Sequence, residues 1–360
     1  MLSGNKGEWT EAYVFLKLLG DGKLYAADKN LQPVADVYYP ILKIVRHESG
    51  SSRHYCLDAN VNIVDGETNV KLKQVPIHEF LTRSIELLEV IKHAAGSFSV
   101  PSIESFLRSV DVTSLAAVSV DKADIKITVH DLHTGKNPDL GFSIKSMLGK
   151  DSTLFNAGAA TNFIYEVVGD GILSLDIDEI NKINEKPKIA RRIDALKSAG
   201  FRLEFQRVES ATLHSNLRLI DGDLPMILAN LLQLKYSCFA PLDLSELVQQ
   251  LSLNNPAAFD LSQGHPMYEH KIKSFLTDSA LGMTPSTMWR GQYSATGGMI
   301  IVKQDGGIVC YHIYNRAEFQ EYLFENTRLE QASTTRYEFG FLYREGEKVL
   351  LKLNLQVRFK

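Results

Sequence analysis

Apolar residues recur at helical spacing over residues 7–19, where Trp9, Ala12, Tyr13, Leu16 and Leu19 form one stripe. The spacing predicts an amphipathic helix, ended by the turn chemistry of Gly20-Asp21-Gly22. From Tyr38 to Val64 the pattern changes to β-branched and aromatic runs, PILKIVRH and YCLDANVNIV, which predict strands. Helical spacing returns in IHEFLTRSIELLEVIKHAA after Pro76 and in SIESFLRSV after Pro101. ADIKITVHD then alternates, with Ile125, Ile127 and Val129 on one face and Lys126, Thr128 and His130 on the other. The turn-rich HTGKNPDL and a short strand, GFSIKS, complete a hairpin. Helices are expected for STLFNAGAATNFIYEVV with Ser152 or Thr153 as cap, the charged stretch 176–199, the apolar run 224–234 and MYEHKIKSFLTDSALG. Two further hairpins follow: GMIIVKQDGGIVCYHIY around Asp305-Gly306-Gly307, and FGFLYREGEKVLLKLNLQVRF around Glu345-Gly346. Strands and helices without strict βαβ alternation predict an α/β or α+β fold with a mixed sheet.

Composition narrows the class. Hydrophobic residues at 44% and charged residues at 23% exclude a disordered acidic chain, and 24 Gly with 11 Pro exclude a collagen-like one. The balance of 39 Lys plus Arg against 43 Asp plus Glu gives a net charge of −4, which argues against a surface that is basic throughout. Residues 181–210 depart from that balance. Eight Lys or Arg (182, 186, 188, 191, 192, 197, 202, 207) face four acids (185, 194, 204, 209), a local +4 suited to phosphate contacts or to a solvated helix face. Cys56, Cys238 and Cys310 are scattered and form no CxxC pair, so neither a disulfide framework nor a zinc knuckle is expected. The start, MLSGNKGEWTEAY, lacks the layout of a signal peptide, and no run reaches the roughly 18 apolar residues of a membrane span. A cytoplasmic protein with no membrane partner is the expectation. No phosphate loop of the Walker type is present, and His130 and His133 do not have zinc-site spacing.

The candidate chemistry lies in HDLHTGKNPDLGFSIKS. Ser143 and Lys145 are two apart on one strand and share a face. With the turn centred near Asn137, Asp131 on the first strand falls opposite Ser143 and within reach of Lys145. A carboxylate plus a backbone carbonyl can hold an oxygen-seeking cation such as Mg²⁺, which polarises a phosphoryl group. A neighbouring Lys orients the attacking water and opposes developing charge. Asp139, just before the second strand, is a rival to Asp131 as metal ligand. The bland alternative is a surface hairpin with a solvated Lys145 and an Asp131 engaged in turn chemistry.

NKGEWTEAYVFLKLLGDGKLYAAD, LGFSIKSMLG, STLFNAGAATNFIYE, FLTDSALGMTPS and VCYHIYNRAEFQEYL resemble the HpaII family of type II restriction endonucleases, from the first helix to the C-terminal LKLNLQVRF. The resemblance implies a PD-(D/E)XK nuclease core: a central mixed sheet flanked by helices, with a β-rich C-terminal part. It implies Mg²⁺-dependent cleavage of double-stranded DNA at CCGG, leaving 5′-phosphate and 3′-hydroxyl ends. It also implies a paired DNA methyltransferase acting on the same site. A palindromic target suggests a homodimer. The (D/E)XK signature falls on Ser143-Ile144-Lys145, where Ser143 replaces the usual acid. The missing charge must then come from elsewhere, and Glu11 on the first helix is the natural donor. Asp131, Glu11 and the Ile144 carbonyl would hold the metal. The same strand is similar to that of mismatch-repair nicking enzymes, which carry Glu at the Ser143 position. The missing acid keeps two alternatives open: a nicking endonuclease, and a catalytically inactive DNA-binding protein on the same fold.

Guanine is read by Arg or Lys at O6 and N7. Candidates for DNA contact are Arg290, Lys303, Asn315 and Arg316 in the C-terminal matching strings, and Asn156 and Asn162 on the expected helix after the catalytic strand. The expected organisation is a nuclease core over 1–264, with its catalytic hairpin at 123–147, and a C-terminal α+β part over 265–360.

Overall fold

The computed structural model describes residues 2–48, 50–115, 123–132, 134–149 and 151–360 of the 360-residue chain. Two compact units result. The first is Met1–Ser152 with Ala280–Gly282 and Tyr293–Phe319; the second is Thr153–Ser279 with Met283–Gln292 and Gln320–Lys360.

The first unit is built around helix α1 (Lys6–Asp21). Asn5 caps it reciprocally with Glu8: the Asn5 side chain accepts from the amides of Gly7 and Glu8, and Glu8 accepts from the Asn5 amide at 2.8 Å. Gly22, in the left-handed region at φ 68°, ends it. The expected stripe of Trp9, Ala12, Tyr13, Leu16 and Leu19 is buried, and Val14, Phe15 and Leu18 are buried on other sides of the helix. A helix apolar on so many sides must be an interior element. It packs against α2 (Ile77–His93), with α3 (Pro101–Ser109) next to α2.

The strands of this unit are β1 (Lys23–Ala27), β2 (Pro33–Glu48), β3 (Ser51–Leu57), β4 (Val61–Asp65), β5 (Lys71–Val75), β6 (Ile125–Val129) and β7 (Asp139–Ser146). The later β11 (Gly298–Val302) and β12 (Ile308–His312) join them. The order is β1-β12-β11-β7-β6-β2-β3-β4-β5, and β1 also pairs with the first part of β2. Two pairings, β1 with β12 and β7 with β11, are parallel and the others antiparallel, so the sheet is mixed as expected.

The second unit has a four-stranded sheet, β10-β9-β15-β14, made of β9 (Asn162–Val168), β10 (Arg202–Val208), β14 (Leu342–Glu345) and β15 (Lys348–Asn354). A three-stranded sheet contains β8 (Thr153–Phe155), β13 (Thr327–Leu329) and β16 (Val357–Phe359). Helices α4 (Ile177–Asn181), α5 (Lys188–Ser198), α6 (Ala211–Ile220), α7 (Leu224–Ser237), α8 (Leu244–Asn254), α9 (Met267–Leu281), α10 (Arg316–Asn326) and α11 (Thr334–Tyr337) complete the element order.

Two expectations need correction. The stretch after Gly149 is not helical: it forms β8, a short 3₁₀ turn at Ala159–Thr161, and β9. Phe163, Ile164, Tyr165 and Val167 are all buried, so NFIYEVV is a strand covered on both faces, and such a strand lacks polar alternation. The chain also changes unit at 152/153 rather than 264/265. Residues 293–319 return to the first unit because β11 and β12 supply the strands between β7 and β1.

Gly298 starts β11 at φ 109°, where a Cβ would lie 2.0 Å from the Tyr311 carbonyl oxygen. Gly298→Ala is expected to cost about 2 kcal/mol or more. A urea midpoint equal to that of the parent would contradict this reading.

Candidate active site

The β6–β7 hairpin sets the geometry. Its register pairs Ile125 with Phe142 and Thr128 with Asp139. Asp124, one residue before β6, therefore stands opposite Ser143, and its amide donates to the Phe142 carbonyl at 2.9 Å. Its carboxylate Oδ2 accepts from the Ile144 amide at 2.6 Å and from Ser143 Oγ at 3.2 Å. Ser143 is buried, and Lys145 lies two residues on, on the same face of β7.

Glu11, half-buried on α1, faces the same group. Its carboxyl is pushed up to about 7, first by burial and next by the Asp124 charge; Arg46 and Lys145 act in the opposite direction. Burial also pushes the Lys145 amine down, although Asp124 and Glu11 oppose that shift. Glu11, Asp124 and Lys145 thus feel one another's charge. Arg46 is fixed by Glu48, with Nε to Oε1 at 3.0 Å, and both are buried. Arg46 also donates to the Ser114 carbonyl at 2.8 Å, and Glu48 accepts from the Thr113 amide at 3.0 Å. This ion pair therefore holds residues 113–115 beside β2.

Asp131 is elsewhere. It lies seven residues after Asp124, roughly 20 Å away at about 3.3 Å per strand residue. Its carboxylate accepts from the Thr134 amide at 3.3 Å and from Thr134 Oγ1 at 2.8 Å. Its own amide donates to the Lys136 carbonyl at 2.9 Å. The turn is thus centred between residues 133 and 134, not near Asn137, and that displacement moves Asp131 away from Ser143. Asp139 is paired with Thr128 by both register and side-chain hydrogen bond, with Lys43 at 4.0 Å. His130 Nδ1 lies 2.8 Å from Asn137 Oδ1, and His133 is outside the described residues.

Glu11 and Asp124, the Ser143 hydroxyl and the Ile144 carbonyl offer oxygen donors alone. Among the described residues no group of three or more His, Cys, Asp or Glu forms a metal cluster. Two carboxylates with neutral oxygens suit a hard divalent cation that completes its shell with water and a phosphate. They do not suit zinc.

A sequence model of the family described as HpaII restriction endonuclease matches residues 5–359. The chain belongs to the HpaII restriction endonuclease family. It is 44% identical over 360 residues to the type II restriction enzyme HpaII of Haemophilus parainfluenzae, covering 99% of this chain and 98% of that relative. No solved structure matches. This family member is accordingly a site-specific deoxyribonuclease, with DNA as substrate in a restriction-modification setting. Enzymes of this class generally depend on a divalent metal. No helix among the described residues is long and apolar enough to cross a membrane.

The expected DNA contacts are scattered. Asn162 is buried in β9, donating to Glu209 at 2.8 Å and to the Tyr337 carbonyl at 3.0 Å, so it is committed to packing. Asn156 is exposed just after β8. Lys303 pairs with Asp305 at 3.3 Å in the β11–β12 turn. Asn315 is half-buried in a 3₁₀ turn, while Arg316 and Arg290 are exposed. Asp124, beside Ser143, and Arg46, whose charge acts on Glu11, were not among the residues expected from the sequence. The available signal for Asp124 was the Thr134-Gly135 pair with Asp131 three residues earlier, a side-chain-closed turn that resets the register.

Glu11 carries a sign-definite pH dependence. Its pKa rises from 4.5 to about 7 on folding, so its contribution is favourable at low pH and is lost between those values as pH rises. In EDTA near pH 8, Glu11→Gln is expected to melt higher than the parent, with the gap closing toward pH 4.5. A variant that melts lower near pH 8 would contradict the uncompensated burial of Glu11.

Proposed function

We propose that this enzyme cleaves double-stranded DNA at CCGG in a Mg²⁺-dependent reaction, using a PD-(D/E)XK site of Asp124, Glu11, Ser143 and Lys145. The observation that carries the reading is the meeting of two carboxylates and a lysine in which burial and Asp124 push Glu11 up to about 7. Such a pair favours a cation between its acids. Asp124 and Glu11, with the Ile144 carbonyl, would hold Mg²⁺, which supplies positive charge at the phosphate and eases deprotonation of water.

Asp124 is in this reading the first acid of the motif, in place of Asp131. By holding the Ile144 amide and the Ser143 hydroxyl, it orients the strand face on which Lys145 sits. Lys145 positions the attacking water by hydrogen bonding and opposes charge developing on the phosphoryl oxygens. Burial pushes its amine below the ordinary lysine range, although Asp124 and Glu11 oppose that shift. The water oxygen bonds to phosphorus in line as the bond to the 3′ oxygen breaks. The 3′ oxygen takes up a proton, leaving 5′-phosphate and 3′-hydroxyl ends. Ser143 stands where an acid is usual, and Glu11 on α1 supplies the charge that Ser143 lacks. A homodimer suits the two-fold target, and a methyltransferase of the same specificity would protect the host's own sites.

The test is digestion of a plasmid of known sequence with and without Mg²⁺. Linear fragments ending at CCGG are expected. Specific binding without cutting in any divalent metal would mark an inactive DNA-binding protein, and open circles alone a nicking enzyme. Lys145→Ala and Asp124→Asn are each expected to slow cutting by roughly a hundredfold or more. Asp131→Asn should cut near the parental rate and lose stability through its turn. A fast Asp124→Asn and a dead Asp131→Asn would reverse the assignment.

A further inference from the structure

Between α9 and β11 the chain leaves regular structure, and the sequence there is unusual. From Ser279 to Val302 a single residue, Arg290, carries a formal charge. Around it stand Ser286, Thr287, Met288 and Gln292, all exposed, with Met288 at 69%. Arg290 is exposed as well, and among the described residues it forms no ion pair or hydrogen bond.

The loop is nevertheless firmly held. Asn216 on α6 is 2% exposed and spends its whole amide on it. Its Nδ2 donates to the carbonyls of Thr284 at 3.0 Å and Thr287 at 2.9 Å, and its Oδ1 accepts from the Trp289 amide at 3.0 Å. The Trp289 indole donates to the Gln292 carbonyl at 2.9 Å. At the neck, the Leu281 carbonyl accepts from Ser294 at 2.9 Å and from Ala295 at 3.2 Å, which brings the two ends of the loop together. The neck is tied to the catalytic strand: the Gly297 amide donates to the Gly141 carbonyl at 2.7 Å, and the Gly141 amide donates to Thr296 Oγ1 at 3.1 Å.

A buried amide that makes all of these hydrogen bonds to irregular backbone leaves no polar atom unpaired there and fixes the loop's shape. A fixed loop avoids the ordering cost of binding. Its chemistry suits base edges better than phosphates. A phosphate-tracking surface gathers several cations, whereas here one guanidinium stands among hydroxyls, an amide and an exposed methionine. A planar fork of donors matches O6 and N7 of guanine, and an apolar side chain beside it suits a groove floor.

We propose that residues 283–292 form a reading loop that enters the major groove, where Arg290 donates to O6 and N7 of a guanine in the recognition site. Which guanine it is rests on the proposed CCGG target.

Binding is measured with Ca²⁺ in place of Mg²⁺, using labelled duplexes with one CCGG, with none, and with 7-deazaguanine at either guanine. Arg290→Ala is expected to lower CCGG binding roughly tenfold to a hundredfold and to leave binding to the control duplex and the melting temperature unchanged. The parent should lose affinity at one 7-deazaguanine position, and Arg290→Ala should be indifferent to that change. Arg290→Lys should recover part of the affinity but little of the discrimination. Equal loss on both duplexes with a shallower salt dependence would assign Arg290 to a phosphate and overturn the proposal, as would no loss at all. Mapping the ends cut by the parent identifies the target independently of Arg290, and a target without guanine would also overturn it.

Discussion

A single carboxylate organises the candidate site of the first unit. Asp124 stands where the β6 ladder begins, and its Oδ2 takes the Ile144 amide and the Ser143 hydroxyl of the partner strand. That contact ties the start of β6 to the strand that carries Ser143 and Lys145, and the Asp124 charge acts on Glu11 of α1. Burial is the first cause of the Glu11 shift upward and of the Lys145 shift downward; the Asp124 charge adds to the first and opposes the second.

The scaffold explains how such a pocket is kept. Helix α1 is buried on most of its surface, so Glu11, half-buried on it, is carried by an interior helix. β7 is held between β6 and β11, so its face has little freedom to tilt. The Arg46–Glu48 pair adds a local clamp. A buried ion pair of this kind is weak evidence of net stability. Its hydrogen bonds to residues 113–115 give it a positioning role.

The overall charge of −4 is compatible with a DNA-cutting enzyme once charge is read locally. In the proposed reading the acids of the site would hold a cation, and an uninterrupted basic coat would bind DNA without discrimination. In the second unit, Lys182, Arg191 and Arg202 each sit near a Glu, so part of the +4 segment is tied up in surface pairs. Arg192 is buried and donates to the carbonyls of Gly340, Asn181 and Ile183, so it belongs to the interior.

Much of the architecture was legible in the chain. The stripe of α1, the helix after Pro76 and the C-terminal hairpins follow from local periodicity and turn residues, which neighbouring residues decide among themselves. Ser143 and Lys145 were also legible, because a period of two places them on one face of any strand. The partner acid was not. A hairpin's register depends on which turn closes it, and the Asp131–Thr134 contact moved the centre by about three residues and exchanged Asp131 for Asp124 opposite Ser143. β9 escaped for a related reason: covered on both faces, it shows no polar alternation to separate it from a buried helix. The sequence by itself determined the family, most of the elements and the strand that carries the lysine. Tertiary structure alone decided which acids meet that lysine, because register and burial are properties of the packed chain.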